Sequence, residues 1–160
     1  MVDVLNWHVE AHPDRPHIHL YSDEGDGEVL TYRQLGEGAQ AIAAGLQDKG
    51  LMPGDTVSIM LPTGQEYFFT FLGILLAGGI PVPIYPPFRM NQLEDHLRRH
   101  STILRNCGAK MMVIIPEAKR FALVLNVAWC AQRNLRRLLL DVVLYCSPDC
   151  LVIGYVAAGV

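Results

Sequence analysis

Three pairs of histidines have spacings at which two imidazoles share one face of a helix or strand. His96 and His100 lie four residues apart in a predicted helix, and two imidazoles at that spacing can bind a metal ion. This helix lacks the glutamate that a zinc-protease helix requires, and arginines crowd it, so we interpret the pair as part of a solvated basic face. The same interpretation, exposed side chains, applies to His8 with His12 and to His17 with His19.

Two glycines and an alanine match the string of a dinucleotide-binding turn, Gly36-x-Gly38-x-x-Ala41. That turn requires a strand before it and the N-terminus of a helix within it. Here the three residues lie inside a predicted helix that begins at Thr31. We therefore interpret the glycines as small residues that let a second helix pack closely.

The remaining motifs of enzyme chemistry are absent from the chain. Cys146 and Cys150 have three residues between them and no second pair at metal-site spacing, so two reduced thiols are favoured. There is no serine nucleophile elbow, no Walker-type phosphate loop and no motif that pairs two carboxylates. From the residues alone we predict no catalytic residue, no cofactor-binding residue and no metal ligand.

The composition is that of one folded domain. The 160 residues are 51% hydrophobic and 18% charged, which supplies a core and excludes disorder throughout. A net charge of −3 gives no electrostatic case for a nucleic-acid partner. Residues 1–20 mix charged with apolar side chains, unlike a secretory signal, so a cytoplasmic, reducing location is expected.

The apolar periodicity predicts alternating helices and strands. Thr31 with Gln34 has the pattern of a capping box, which opens a helix that Gly50 ends. Strand, helix, strand, helix, strand is the order of a parallel sheet with right-handed crossovers, so the predicted class is α/β. The predicted helices are 2–11, 31–49, 66–76 and 92–106, and the predicted strands are 17–21, 29–30, 56–61, 80–84 and 111–115.

Two further features concern the middle of the chain. Pro81 and Pro83 lack backbone donors, which predicts that their strand lies at a sheet edge. The helix over residues 66–76 is apolar on nearly all sides, which predicts a buried helix. Glycine and proline interrupt the apolar stretch 68–84 before it reaches the roughly 20 residues of a spanning helix, so no membrane span is expected.

The character of the chain changes near residue 121. Residues 1–120 carry ten Lys+Arg and fourteen Asp+Glu, a net charge of −4, whereas residues 121–160 carry three arginines and two aspartates, a net charge of +1. Three of the four cysteines also lie in the second part: Cys130, Cys146 and Cys150. Residues 123–160 therefore form a segment of different, more apolar character.

An ordered series of strings resembles the N-terminal region of the adenylate-forming superfamily, with the match covering about residues 2–122. The loop Pro83-Ile84-Tyr85-Pro86-Pro87 and the following Gln92-Leu93-Glu94-Asp95-His96-x-Arg98-Arg99 are most similar to the fatty acyl-AMP ligase branch. The other strings are Leu30-Thr31-Tyr32-x-x-Leu35, Ala41-x-Ala43-Ala44-x-Leu46, Gly50-Leu51-x-Pro53-Gly54-Asp55-x-Val57, Leu61-Pro62-x-Gly64-x-Glu66 and Phe71-Leu72-Gly73-x-Leu75-x-Ala77-Gly78-x-Ile80-Pro81-Val82-Pro83.

The resemblance implies both a fold and a chemistry. The fold is the parallel-sheet part of the large N-terminal domain of an adenylate-forming enzyme. The reaction uses ATP and Mg²⁺ to convert a fatty acid into an acyl-adenylate. The acyl group then passes to coenzyme A or to an acyl carrier protein.

The departures from the family are equally informative. The Ser/Thr/Gly-rich phosphate loop that ends in Pro-Lys-Gly, the adenine and ribose motifs and the lysine of the small C-terminal domain have no counterpart here, so no catalytic residue is carried over. The resemblance implies a partial AMP-binding domain over 1–122 and a segment of unknown nature over 123–160, out of frame or poorly ordered.

Three functional interpretations follow. The first is a truncated fragment of a fatty acyl-AMP ligase or acyl-CoA synthetase that is inactive alone. The second is a non-catalytic module that associates with a separately encoded remainder of the enzyme. The third, a membrane-attached protein, is disfavoured because Arg136, Arg137, Asp141 and Asp149 interrupt the apolar segment, and a charge at the bilayer centre costs about 3 kcal/mol.

Overall fold

The computed structural model describes residues 1–22, 25–85, 93–115, 143–147 and 150–154. Arg89 and most of the proline-rich loop before it lie outside these ranges. The helices are α1 (Val2–Ala11), α2 (Tyr32–Asp48), α3 (Gln65–Leu76) and α4 (Leu93–Cys107). The strands are β1 (Pro16–Ser22), β2 (Gly25–Thr31), β3 (Thr56–Met60), β4 (Ile80–Pro83), β5 (Met111–Ile114), β6 (Val143–Ser147) and β7 (Cys150–Gly154).

The main sheet has the strand order β4-β3-β5-β7-β6. Strand β3 pairs in parallel with β4 on one side and with β5 on the other. These three strands and the helices between them confirm the predicted α/β class with a parallel sheet. β4 lies at the edge of the sheet, as its two prolines predict, because proline cannot donate to a second neighbour.

Two strands of the C-terminal segment complete this sheet. β6 and β7 form an antiparallel pair, and β7 runs antiparallel to β5 from Met111 opposite Gly154 to Ile114 opposite Leu151. These strands are not predictable from the sequence pattern, because a short apolar run does not distinguish a strand from a buried helix. The domain boundary after residue 122 stays a prediction.

The capping box that opens α2 is confirmed. The Gln34 amide donates to Thr31 Oγ1 over 3.3 Å, and the Thr31 amide donates to Gln34 Oε1 over 2.8 Å. The helix ends at Asp48, and Gly50 follows the C-cap with a φ of 85°, which lies in the left-handed region that favours glycine. Both ends of α2 are therefore encoded locally.

Both faces of the parallel strands are buried. Alternation along β3 and β5 sends successive side chains to opposite faces. One face packs on α2 and α3, and the other packs on α4. The first cluster includes Ile42, Leu46, Val57, Ile59, Ile74, Met111 and Val113, and the second includes Met60, Ile84, Leu104, Met112 and Ile114.

The glycines of α2 and α3 lie where helices approach most closely. A Cβ on Gly38 would come within 2.5 Å of the Phe69 ring, and one on Gly36 would come within 2.8 Å of a Val9 methyl group. A Cβ on Gly73 would lie 2.8 Å from the carbonyl oxygen of Ala39. These contacts confirm that the glycines of the Gly36-x-Gly38 string serve helix packing.

Candidate functional site

Helix α3 has one buried face and one half-buried apolar face. Thr70, Gly73 and Ile74 are buried against α2 and the sheet. On the other side, half-buried aromatic and aliphatic side chains line an open groove of about 680 Å³: Tyr67, Phe68, Phe71 and Leu72. Within the described residues, α3 therefore leaves part of its apolar surface uncovered.

Helix α1 forms the opposite wall of the groove. Met1, Val4, Leu5 and His8 line it from successive turns, so the groove follows the axis of α1 and reaches His8 at the far end. Ile18 of β1 and Tyr32 and Leu35 of α2 close the remaining side. The floor is a small core cluster of Leu5, Leu30, Tyr32 and Leu35.

Two imidazoles stack on the ring of Tyr32 at this end of the groove. The His8 ring centroid lies 4.3 Å from that of Tyr32 with an interplanar angle of 8°. The His17 centroid lies 4.4 Å away with an angle of 23°. Trp7 contacts His8 edge-on at 4.7 Å. The arrangement joins α1, β1 and α2.

These positions correct one sequence interpretation and refine another. His12, His17 and His19 are exposed, as expected. His8 was interpreted as exposed but is half-buried, with an Nδ1 that has no hydrogen-bond partner among the described residues. The partner that buries it is Tyr32, 24 positions along the chain, and the spacing of His8 and His12 carries no signal of that contact.

The proton affinity of His8 is reduced at this end of the groove. Burial lowers the pKa of His8 below its ordinary 6.5, and the neighbouring His12, Arg15 and His17 lower it further. The Tyr32 amide donates to the carbonyl oxygen of Arg15 over 3.3 Å, which fixes the backbone of Arg15 beside the stacked rings. The nearby Asp14 carboxylate is paired with Arg33 at 3.1 Å.

The other predicted residues do not form a second site within the described ranges. His100 is only 3% exposed, so its interpretation as part of a solvated face is wrong, whereas Arg98 and Arg99 are exposed. The His96 side chain lies outside the described residues. Across the described part of the chain, no three His, Cys, Asp or Glu side chains are placed to hold a metal ion.

The carboxyl edge of the parallel strands is the usual place for a ligand of an open α/β sheet. Here β3 leads through residues 61–64 into α3, whose N-cap is Gly64. Glu66 lies in the first turn of this helix, where a carboxylate interacts favourably with the helix dipole. The groove is the stronger candidate site, because it is a concave surface lined by residues of several elements.

Comparison with known proteins identifies the family. The profile described as "AMP-binding enzyme" matches residues 5–147. The chain belongs to the AMP-binding enzyme family. This finding confirms the resemblance seen in the sequence, and the profile reaches as far as β6.

Relatives of this AMP-binding enzyme chain include fatty-acid ligases. It is 38% identical over 117 residues to a long-chain-fatty-acid–CoA ligase of Haemophilus influenzae, covering 72% of this chain and 18% of that protein. The fatty acid AMP ligase of Legionella pneumophila is 35% identical with a TM-score of 0.66, covering 72% of this chain and 19% of that structure.

A second Legionella structure, a fatty acyl-adenylate ligase in complex with acyl adenylate and pyrophosphate, is 34% identical with a TM-score of 0.67. It covers 74% of this chain and 20% of that structure. The chain thus spans about a fifth of the length of each of these three relatives. None of the helices in the described ranges is long and apolar enough to cross a membrane.

Proposed function

We propose that these 160 residues are the first part of a ligase that activates a fatty acid as its acyl-adenylate. The parent reaction consumes ATP with Mg²⁺ and passes the acyl group to coenzyme A or to an acyl carrier protein. The observation that carries the proposal is the family match over residues 5–147, together with relatives whose names specify fatty acids.

The contribution of this segment is structural. It supplies three parallel strands with helices on both faces, and α3 packs closely against α2 at Gly73. Among the described residues, no group of three His, Cys, Asp or Glu side chains is placed to hold a metal ion. ATP and Mg²⁺ would be held by other parts of a complete ligase.

It follows that the 160 residues by themselves do not form acyl-adenylates. Adenylation needs donors and a cation around the triphosphate while the carboxylate attacks the α-phosphorus. Removal of a single such donor costs about 10²–10³ in rate, and the chain has no Ser/Thr/Gly loop that would supply the set. The test is fatty-acid-dependent ATP–pyrophosphate exchange with the purified chain, where we expect no exchange above a heat-killed control.

A chimera tests whether this segment can serve as part of a fatty-acid-activating ligase. Residues 5–114 would replace the matching segment of the Legionella fatty acid AMP ligase, and we expect a folded chimera with fatty-acid-dependent exchange. A chimera that folds but shows no exchange would contradict the proposal. Mixing the separate chain with the remaining part of that ligase tests the alternative of a non-catalytic module, because only a module that associates in trans would restore exchange.

A further inference from the structure

We propose that His8 and His12 of α1 form a two-histidine chelate for a divalent transition-metal ion of the class of Ni²⁺, Cu²⁺ and Zn²⁺. Each imidazole supplies one ring nitrogen. Among the described residues no group of three His, Cys, Asp or Glu side chains is placed around an ion, so water completes the coordination. The site is independent of fatty-acid activation.

The two histidines lie on the same face of α1. They are four residues apart, and side chains at that spacing are neighbours on successive turns of a helix. His8 lies in the last turn of α1, and His12 is its C-cap residue. The amide of His12 donates to the carbonyl oxygen of His8 over 2.8 Å, which closes the helical turn between the two side chains.

The distance between the two rings suits a shared ion. Their centroids are 6.1 Å apart, with an interplanar angle of 44°. With metal–nitrogen bonds of about 2.0–2.1 Å, two imidazoles on one ion have centroids roughly 4.5–6.4 Å apart, from a right angle to a straight line at the metal. The observed separation lies inside this range, and the exposed side chain of His12 can adjust to close the angle.

The imidazole of His8 is held in place by its neighbours. It stacks on the Tyr32 ring with centroids 4.3 Å apart, and Trp7 contacts it edge-on at 4.7 Å. Its Nδ1 is buried, whereas the residue as a whole is half-buried, so the ligating atom is Nε2. A ring that is already fixed loses little conformational freedom when an ion binds.

The surroundings favour metals that bind nitrogen strongly. Neighbouring Arg15 and His17 lower the pKa of His8, and their positive charge opposes any cation. The Asp14 carboxylate is already paired with Arg33 at 3.1 Å. Coordination bonds to imidazole, rather than the net charge of the site, must therefore hold the ion. Imidazole suits Ni²⁺, Cu²⁺ and Zn²⁺, whereas Mg²⁺ and Ca²⁺ prefer oxygen ligands.

The fluorescence of Trp7 reports on this site, because its ring centroid lies 4.7 Å from that of His8 and 5.4 Å from that of His12. A Trp129→Phe background removes the other tryptophan of the chain. At pH 8 we expect Ni²⁺ to quench Trp7 saturably, excess Zn²⁺ to reverse the quenching by competition, and Mg²⁺ to do neither. Quenching that does not saturate, or that Mg²⁺ reverses as well as Zn²⁺, would overturn the proposal.

Removal of either imidazole breaks the chelate. For His8→Gln and for His12→Gln we expect the Ni²⁺ affinity to fall at least about tenfold, since each variant loses one of two coordination bonds. His19→Gln removes an exposed imidazole of β1 and is the matched control, which should leave the affinity unchanged. Equal losses in the three variants, or no loss in His12→Gln, would overturn the assignment.

A double variant tests the spacing and keeps the number of histidines. Glu10→His with His12→Gln moves the second imidazole to two residues from His8, where helical side chains do not face each other. We expect its Ni²⁺ affinity to match that of His12→Gln, and an affinity equal to that of the unsubstituted chain would overturn the proposal. Circular dichroism establishes that each variant is folded. The titration uses neither ATP nor fatty acid, so its outcome and that of the chimera are separate.

Discussion

At the scale of single residues, the Tyr32 ring connects two elements that line the groove. His8 of α1 and His17 of β1 both stack against it. Since burial and neighbouring cations lower the pKa of His8, the unfolded chain takes up this proton at a higher pH than the folded chain. The stabilisation from neutral His8 is therefore complete above pH 6.5 and is lost as the pH falls through the lowered folded-state pKa.

Urea unfolding from pH 7.5 to 5 measures this effect. We expect the free energy of unfolding of the native chain to fall more steeply over that interval than that of His8→Gln, since the variant lacks the titrating group. The difference between the two curves isolates His8 from the other titrating residues. Two parallel curves would contradict the prediction.

Thr70 is a second residue with an unusual environment. It is fully buried on α3, and its Oγ1 has no hydrogen-bond partner among the described residues. Thr70→Val removes an unsatisfied hydroxyl and keeps the β-branched shape, so we expect stabilisation of about 1 kcal/mol by urea unfolding. Ser58→Ala, whose hydroxyl donates to the Met111 carbonyl over 3.3 Å, should instead destabilise the chain by a similar amount.

At the scale of helices and strands, the features that the sequence predicts correctly are those that depend on residues close together in the chain. The capping box at Thr31, the left-handed Gly50 and the edge position of the strand with Pro81 and Pro83 all depend on residues a few positions apart. The helix-packing role of Gly36 and Gly38 was also predictable, because their string lies inside a helix. In contrast, His8 and His100 were misassigned because their burial depends on distant elements.

The cap of α2 offers a direct test. Thr31→Ala removes the Oγ1 that accepts from the Gln34 amide, and we expect about 1 kcal/mol of destabilisation by urea unfolding. Thr102→Ala is the control, because this exposed hydroxyl donates only to the Arg98 carbonyl within α4. A change of equal size in both variants would show that the cap adds nothing specific.

The close packing of α3 on α2 can also be tested by mutation. A Cβ at Gly73 would lie 2.7 Å from Ile42 Cβ and 2.8 Å from the Ala39 carbonyl oxygen, so Gly73→Ala forces the helices apart. We expect about 1–3 kcal/mol of destabilisation. Gly64→Ala, with no atom near its added Cβ, should change the free energy of unfolding by less than about 0.5 kcal/mol. A stable Gly73→Ala variant would contradict this packing.

At the scale of the whole molecule, the three parallel strands were predictable, but two features were not. The groove arises where α1, β1, α2 and α3 meet, and no local pattern encodes that meeting. The β6–β7 hairpin follows a stretch of sequence that was interpreted as foreign to the fold. The hairpin pairs with β5 over four residue positions, and it covers an edge that would otherwise expose a wholly buried apolar strand.

Removal of the hairpin tests whether the C-terminal segment is part of the folded sheet or foreign to it. In a chain of residues 1–142, the β5 edge from Met111 to Ile114 would present unpaired backbone groups beside apolar side chains, which is a template for intermolecular strand pairing. We therefore expect a lower melting temperature, binding of a hydrophobic dye and concentration-dependent light scattering, compared with the 160-residue chain. If the shortened chain instead melts and scatters like the full one, the segment after residue 122 lies outside the folded unit, as its composition alone predicts.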